Sequence, residues 1–304
     1  MDYEIRGLKK SLTGFFALVK LVEPGMGVYP HEATYSKPKL DRLTLLQVTG
    51  ANTSPIFSLY NSPHGAAASI LAEAEKSPPL IKAGDHDGTL HSVWPIEDPG
   101  LTAKICAELS DKAIYIADGH HRYETALENK KLMGASVAPR PSDYVLMFLA
   151  NIADGDSLTV LPTHRLVNAV INGDALKIIS AHFDIKTLPP DADIIGSIRG
   201  VEHAFGLYSG GGNYVLKYRG RDLGEVHPVL RKLDVVILHA MLIKKLLGLS
   251  EYAYEMDASL AKEKVDKGDY GAAFFLNPTK LSEVENVALS MLRMPPKSTY
   301  FYPK

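Results

Sequence analysis

The chain has 304 residues, 46% hydrophobic and 22% charged, the composition of a globular protein long enough for roughly two domains. Lys plus Arg at 33 against Asp plus Glu at 35 leave a formal charge of −2, so there is no excess to hold a polyanion and nucleic-acid binding is disfavoured. One cysteine, Cys106, excludes an intrachain disulfide and cysteine-rich zinc or iron–sulfur sites, which points to a reducing cytoplasm.

In chain order, residues 1 to 60 read as strands and turns. Leu12 to Val22, apolar apart from Thr13, Gly14 and Lys20 and ended by Pro24-Gly25, predicts a buried strand. The following segment carries turn residues and the charges Glu32, Lys37, Lys39, Asp41 and Arg42, so it reads as an exposed polar loop, either a site or a solvated surface. Pro63 to Lys76 has an alanine-rich helical pattern closed by Ser77-Pro78-Pro79. A turn and strand over Gly84 to Trp94 and a helix over Gly100 to Leu109 come next. Ala113 to Ala117 is a short buried strand that runs directly into Asp118-Gly119-His120-His121-Arg122, after which Tyr123, Ala126, Leu127 and Met133 recur at helical spacing.

Asp143 to Ala153 reads as another buried strand, and within it Tyr144 to Ala153, interrupted by Asn151, is the longest apolar run, far short of the roughly 20 residues that span a membrane. The charged start, Met1 to Arg6, is no secretory signal. Leu158 to Val167 crosses the expected domain boundary, giving domains 1–156 and 157–304. The second domain predicts helices at Gly173 to His182, Asp193 to Arg199, Asp234 to Leu247, Ser259 to Lys267 and Lys280 to Leu292. A hairpin over Ala204 to Tyr218 and a strand over Gly271 to Leu276 complete it. The fold class is therefore α/β in the mixed, α+β sense.

The strand-turn-helix junction is where chemistry concentrates. A helix that starts just after a strand presents backbone N–H groups and the positive end of its dipole, and a glycine there lets an anion approach the backbone closely. Arg122, in the first turn, can add a charge-assisted contact, and His120 or His121 can donate as well. On local pattern the structural reading stays open beside it: Asp118 as an N-cap, and Arg122 paired with Glu124 or with a carboxylate on a neighbouring strand.

Asp118-Gly119-His120-His121-Arg122 resembles the D-G-x-H-R phosphate-binding signature of the ParB/sulfiredoxin superfamily. The longer run Tyr115 to Ala126 resembles one branch of it, the family called domain of unknown function 1015. Four more stretches fit that family: Pro30-His31-Glu32-Ala33-Thr34, Asn52-Thr53-Ser54-Pro55-Ile56-Phe57, Leu161-Pro162-Thr163-His164-Arg165, and the tail from Met294 to Lys304. The resemblance extends over nearly the whole chain. It also implies a proline-rich N-terminal segment that this sequence does not carry, so a fragment is expected.

By that resemblance the first domain is ParB/sulfiredoxin-like. Sulfiredoxins place a cysteine where this chain has His120, so sulfinic-acid reduction is not expected. Superfamily relatives bind or cleave CTP in chromosome partitioning, or transfer phosphate from a nucleotide to free serine. No basic recognition helix follows Asp143, and the densest basic stretches, Lys37 to Arg42 and Arg219 to Arg231, are interrupted by Asp41, Asp222 and Glu225. The kinase branch is the better analogy. It implies a nucleotide- or phosphoester-binding enzyme transferring phosphate to or from a small hydroxylated metabolite.

The expected ligand is ATP, ADP, CTP or pyrophosphate with Mg2+, and no haem, flavin, nucleic acid or membrane. Gly119, His120, His121 and Arg122 would hold phosphate, with Arg165 and Lys297 adding charge. Asp118, His120, His121, Glu124 and Glu32 are the candidates for acid–base work or magnesium. His31, Arg42, Asn52, Thr163, His164, Ser298 and Thr299 form a second line of polar residues. Two other classes remain: a non-catalytic nucleotide sensor, and a metal-dependent hydrolase using His121 and Glu124, spaced i, i+3 on one helix face. His239, on an apolar helix, reads as a hydrogen-bonded core histidine.

Overall fold

Short apolar runs bounded by turn residues build the first unit, which takes Met1–Thr159, Met291–Arg293 and the chain from Phe301 onward. The computed structural model describes residues 1–5, 7–34, 36–220 and 223–303. The side chain of Lys37, and Arg221 and Asp222 of the second basic stretch, lie outside the described residues.

The strands are β1 (Asp2–Ile5), β2 (Leu8–Ser11), β3 (Gly14–Lys20), β4 (Val28–Pro30), β5 (Ile56–Tyr60), β6 (Ile81–Gly84), β7 (Leu90–Val93), β8 (Ile114–Asp118) and β9 (Tyr144–Asn151). The helices are α1 (Ser36–Thr49), α2 (Ala66–Ala74), α3 (Pro99–Leu109) and α4 (His120–Leu132). One sheet has the order β3-β9-β5-β8-β4 and a second the order β2-β1-β7-β6. Central β5 is buried along its length and runs antiparallel to β8 and parallel to β9. Tyr123, Ala126 and Leu127 of α4 join Ile56, Ile116 and Met147 of the sheet in one core. Burial of each large side chain there contributes about 1.5–3 kcal/mol, and it fixes the start of α4 at the end of β8.

Two sequence expectations change here. The apolar run from Leu12 to Val22 is not buried on both faces: β3 is an edge strand that alternates in burial, with Phe16 and Leu18 exposed. The polar segment expected as a loop is largely helix α1. Few of its apolar side chains turn inward, Leu46 among them, so its charges outnumbered the helical signal.

The second unit takes Val160–Ser290 and Met294–Tyr300. After β10 (Thr159–Leu161) come β11 (His164–Val167), β12 (Phe183–Leu188), β13 (Ala204–Ser209), β14 (Gly212–Tyr218), β15 (Ala253–Glu255) and β16 (Ala272–Phe275), with β17 (Tyr300–Tyr302) near the end. Its antiparallel sheet has the order β12-β14-β13-β16-β11-β15. The helices are α5 (Gly173–Ile179), α6 (Ile194–Ile198), α7 (Asp234–Val236), α8 (Ala258–Asp266) and α9 (Leu281–Leu289). Beyond α7 the expected helix continues as a π-helix, Ile237–Leu246. The expected mixed α+β class holds. Among the described residues no helix is long and apolar enough to cross a membrane.

Candidate functional site

β8 delivers Asp118 to the edge of the core, and Gly119 turns the chain into α4 with φ 96° and ψ 22°. That left-handed conformation strains any residue with a Cβ. The first helical bond runs from the Tyr123 N–H to the Gly119 carbonyl at 3.0 Å, and Gly119 supplies no side-chain cap. Arg122 fills the space beside the turn. A Cβ on Gly119 would lie 2.9 Å from both its Nε and NH2.

The guanidinium of Arg122 donates to Asp118 Oδ2 at 2.9 Å, to the Pro55 carbonyl at 2.6 Å and to Ser54 Oγ. The structural reading is corrected: the N-cap is Gly119, and Asp118, expected in that role, is instead the carboxylate that pairs with Arg122. Burial holds the Arg122 pKa below its ordinary value; Asp118 opposes this and nearby Arg42 adds to it. Both partnerships leave the guanidinium at the strand–helix turn, where an anion would meet it.

Two histidines close the other side. The backbone N–H of His31, just after β4, donates to His120 Nε2 at 3.3 Å, and the two rings meet edge to face at 4.8 Å. In that bond Nε2 is the acceptor. His31 is fully buried, which pushes its pKa down to about 3; a backbone hydrogen bond at Ile116 opposes the shift and Arg293 adds to it. Glu32 Oε1 stands 3.9 Å from His31 Nε2. His121 is half-buried on the first turn of α4.

Glu124, one turn on, accepts from Thr34 Oγ1 at 2.7 Å, pairs with Lys39 Nζ, and lies 3.9 Å from Arg293 NH2. Arg293 also donates to the Glu32 carbonyl at 3.4 Å. Sequence reasoning missed Arg293 and Thr34, because nothing local marks a residue whose partner is far away in the chain. Arg42 and Asn52 line a small cavity with Arg122.

The remaining candidates belong to the second unit. Arg165 is fully buried: its Nε donates to His239 Nε2 at 2.8 Å, NH1 to the Thr163 carbonyl at 2.5 Å, and NH2 to the Lys297 carbonyl at 3.0 Å. The ring centroid of Tyr254 lies 4.6 Å from its Cζ. His239 is the hydrogen-bonded histidine expected, half-buried on its helix, and loss of solvent and the neighbouring Arg165 push its pKa down to about 3. His164, on β11, receives the Leu276 N–H at Nδ1 at 3.4 Å. Lys297 is exposed with φ 58°, Ser298 donates to the Pro295 carbonyl at 2.5 Å, and Thr163, Ser298 and Thr299 are buried.

No three of His, Cys, Asp and Glu among the described residues converge as a metal-ligand set. His121 and Glu124 share a helix face, but the Glu124 carboxylate is engaged by Lys39 and Thr34.

The model of a family described as a protein of unknown function, DUF1015, matches residues 1–236. No curated protein gives a significant match. Among solved structures, a free serine kinase in complex with AMP is 14% identical with a TM-score of 0.48, covering 96% of this chain and 88% of its own. A mutant free serine kinase in complex with ADP gives the same identity, coverage and score. A conserved hypothetical protein from Pyrococcus furiosus is 15% identical with a TM-score of 0.43, covering 96% of this chain and 91% of its own.

Proposed function

The chain belongs to the DUF1015 family of proteins of unknown function, and from that premise we propose that it binds a nucleotide or phosphoester at the start of α4 and transfers phosphate to or from a small hydroxylated metabolite. The observation that carries this reading is the Gly119 turn: a left-handed glycine at a strand–helix junction with the Arg122 guanidinium against its open side. Backbone N–H groups and a fork of N–H donors then address one anion. The same motif carries the proposed ParB/sulfiredoxin-like character of this unit.

Roles follow from what each group touches. Gly119, His120, His121 and Arg122 hold phosphate. Glu32, beside His31, is the proposed general base, with Asp118 and Glu124 as the other candidates. Neutral His31 packs edge to face on the His120 ring at that end of the helix. Magnesium enters only as a companion of the nucleotide phosphates, with Asp118 at the end of β8 as a carboxylate at hand. Lys297 and Arg165 keep their suggested phosphate role as a separate proposal, tested by Lys297→Ala.

A thermal-shift screen with AMP, ADP, ATP, CTP and pyrophosphate tests the binding. At a hundred times the dissociation constant a ligand should stabilise the fold by about 2.7 kcal/mol. No shift with any of them sinks the reading. Turnover with a panel of small hydroxyl compounds separates enzyme from sensor: Glu32→Gln should abolish transfer while leaving nucleotide affinity within about twofold.

A further inference from the structure

The first unit holds an arginine that the strand–glycine–helix motif does not include. Arg293 follows α9 in the chain, and with Met291 and Leu292 it belongs to the first unit. Its side chain is 33% exposed, and burial holds its pKa below the ordinary value while Glu124 opposes the shift. A guanidinium withdrawn that far from water needs partners for its five N–H donors. Arg293 has few among the described residues: NH1 reaches the Glu32 carbonyl at 3.4 Å, and NH2 stands 3.9 Å from Glu124 Oε1. Charge-assisted hydrogen bonds run at about 2.7–2.9 Å, so both contacts are long.

Glu124 has nearer partners of its own. Its Oε2 accepts from Thr34 Oγ1 at 2.7 Å and pairs with Lys39 Nζ, which leaves Arg293 a positive charge beyond what that carboxylate neutralises. Arg122 is in the opposite condition, with NH1 and NH2 taken by Ser54, Pro55 and Asp118. Of the two arginines, Arg293 has more donors open. It also stands beside the start of α4. Glu32 adjoins His31, whose backbone N–H bonds to His120 at the first residue of the helix, and Glu124 lies one turn further along it. The Arg293 charge is felt at His31, where it adds to the lowering of the ring's pKa.

Resting on the reading that phosphate binds at the start of α4, we propose that Arg293 is a second phosphate-binding arginine of that site, turning its open guanidinium fork from Glu124 to the oxygens of the ligand. Two phosphate oxygens match two parallel N–H donors, a geometry that an ammonium cannot make. Glu124 keeps Lys39 and Thr34 when Arg293 turns away, so no carboxylate is left uncompensated.

Calorimetric titration of the full chain with pyrophosphate and with ADP tests it, alongside thermal unfolding of each variant free of ligand. Arg293→Gln should weaken both ligands about tenfold or more and leave the melting temperature of the free protein unchanged, because the contacts it loses are long. Arg293→Lys keeps the charge without the fork, so it should recover only part of that loss. A purely structural arginine gives the reverse pattern, a lowered melting temperature with affinity kept. Affinity of Arg293→Gln within about twofold of wild type, or of Arg293→Lys equal to wild type, overturns this inference and leaves the α4 site standing. Failure of the wild-type chain to bind either ligand overturns the α4 site itself, and this inference with it.

Discussion

At the scale of single residues, Gly119 and Arg122 are inseparable. Gly119→Ala places a Cβ 2.9 Å from the Arg122 guanidinium and forces a non-glycine residue to φ 96°. The strained backbone costs about 1–3 kcal/mol, while the displaced guanidinium removes the proposed phosphate contact, so a lowered denaturant midpoint and lost nucleotide affinity should appear together. Arg122→Lys distinguishes charge from geometry. An ammonium cannot serve Asp118, Pro55 and Ser54 at once, so both stability and affinity should fall although the charge is kept. Unchanged affinity with a lowered midpoint would falsify a ligand role for Arg122. The same residue thus satisfies the structural reading and leaves the functional one to be measured.

At the scale of elements, α4 was legible and α1 was not. Tyr123, Ala126 and Leu127 recur on one face and bury into a core that β5, β8 and β9 complete, so periodicity alone predicts the helix. α1 turns its charges outward and buries few side chains, and its helical state is fixed by what it packs against. The cross-links between these elements are equally invisible locally: Glu124 of α4 reaches Lys39 of α1 and Thr34 ahead of it. Cys106 lies exposed on α3, away from the α4 turn in the chain and free of any disulfide. Cys106→Ser should therefore shift stability by less than about 0.5 kcal/mol and leave nucleotide binding intact, as a urea titration and a calorimetric binding curve can check. Loss of binding in the folded variant would bring thiol chemistry back into consideration.

At the scale of the whole molecule, each unit holds a neutral histidine withdrawn from solvent: fully buried His31 in the first and half-buried His239 in the second. Both have folded pKa values of about 3 against an ordinary 6.5. Between those two values the unfolded chain binds a proton that the folded chain refuses, so stability is full above about pH 6.5 and falls as pH drops toward 3. Urea midpoints at pH 7.5, 6 and 5 should decline steadily, and His239→Gln should flatten part of the decline. A midpoint independent of pH over that range would contradict neutral burial. With a net charge of −2 and basic stretches broken by acidic residues, duplex binding should stay at the weak non-specific level at physiological salt. A sub-micromolar, salt-sensitive anisotropy titration would overturn that.

The sequence by itself determined the class of fold, the family and the strand–glycine–helix turn, because each is written in neighbouring residues: alternation, helical spacing, and a glycine where only a glycine fits. It named Asp118 to Arg122 as the centre of the candidate site, and it ordered the motifs along the chain. Only the tertiary structure decided what those residues touch. It paired Arg122 with Asp118, set His31 against His120, brought Arg293 to Glu124, and buried Arg165 beneath the Lys297 carbonyl. These pairings join residues far apart in sequence, and the forces that select them, burial and charge proximity, act through space and leave no local pattern to read.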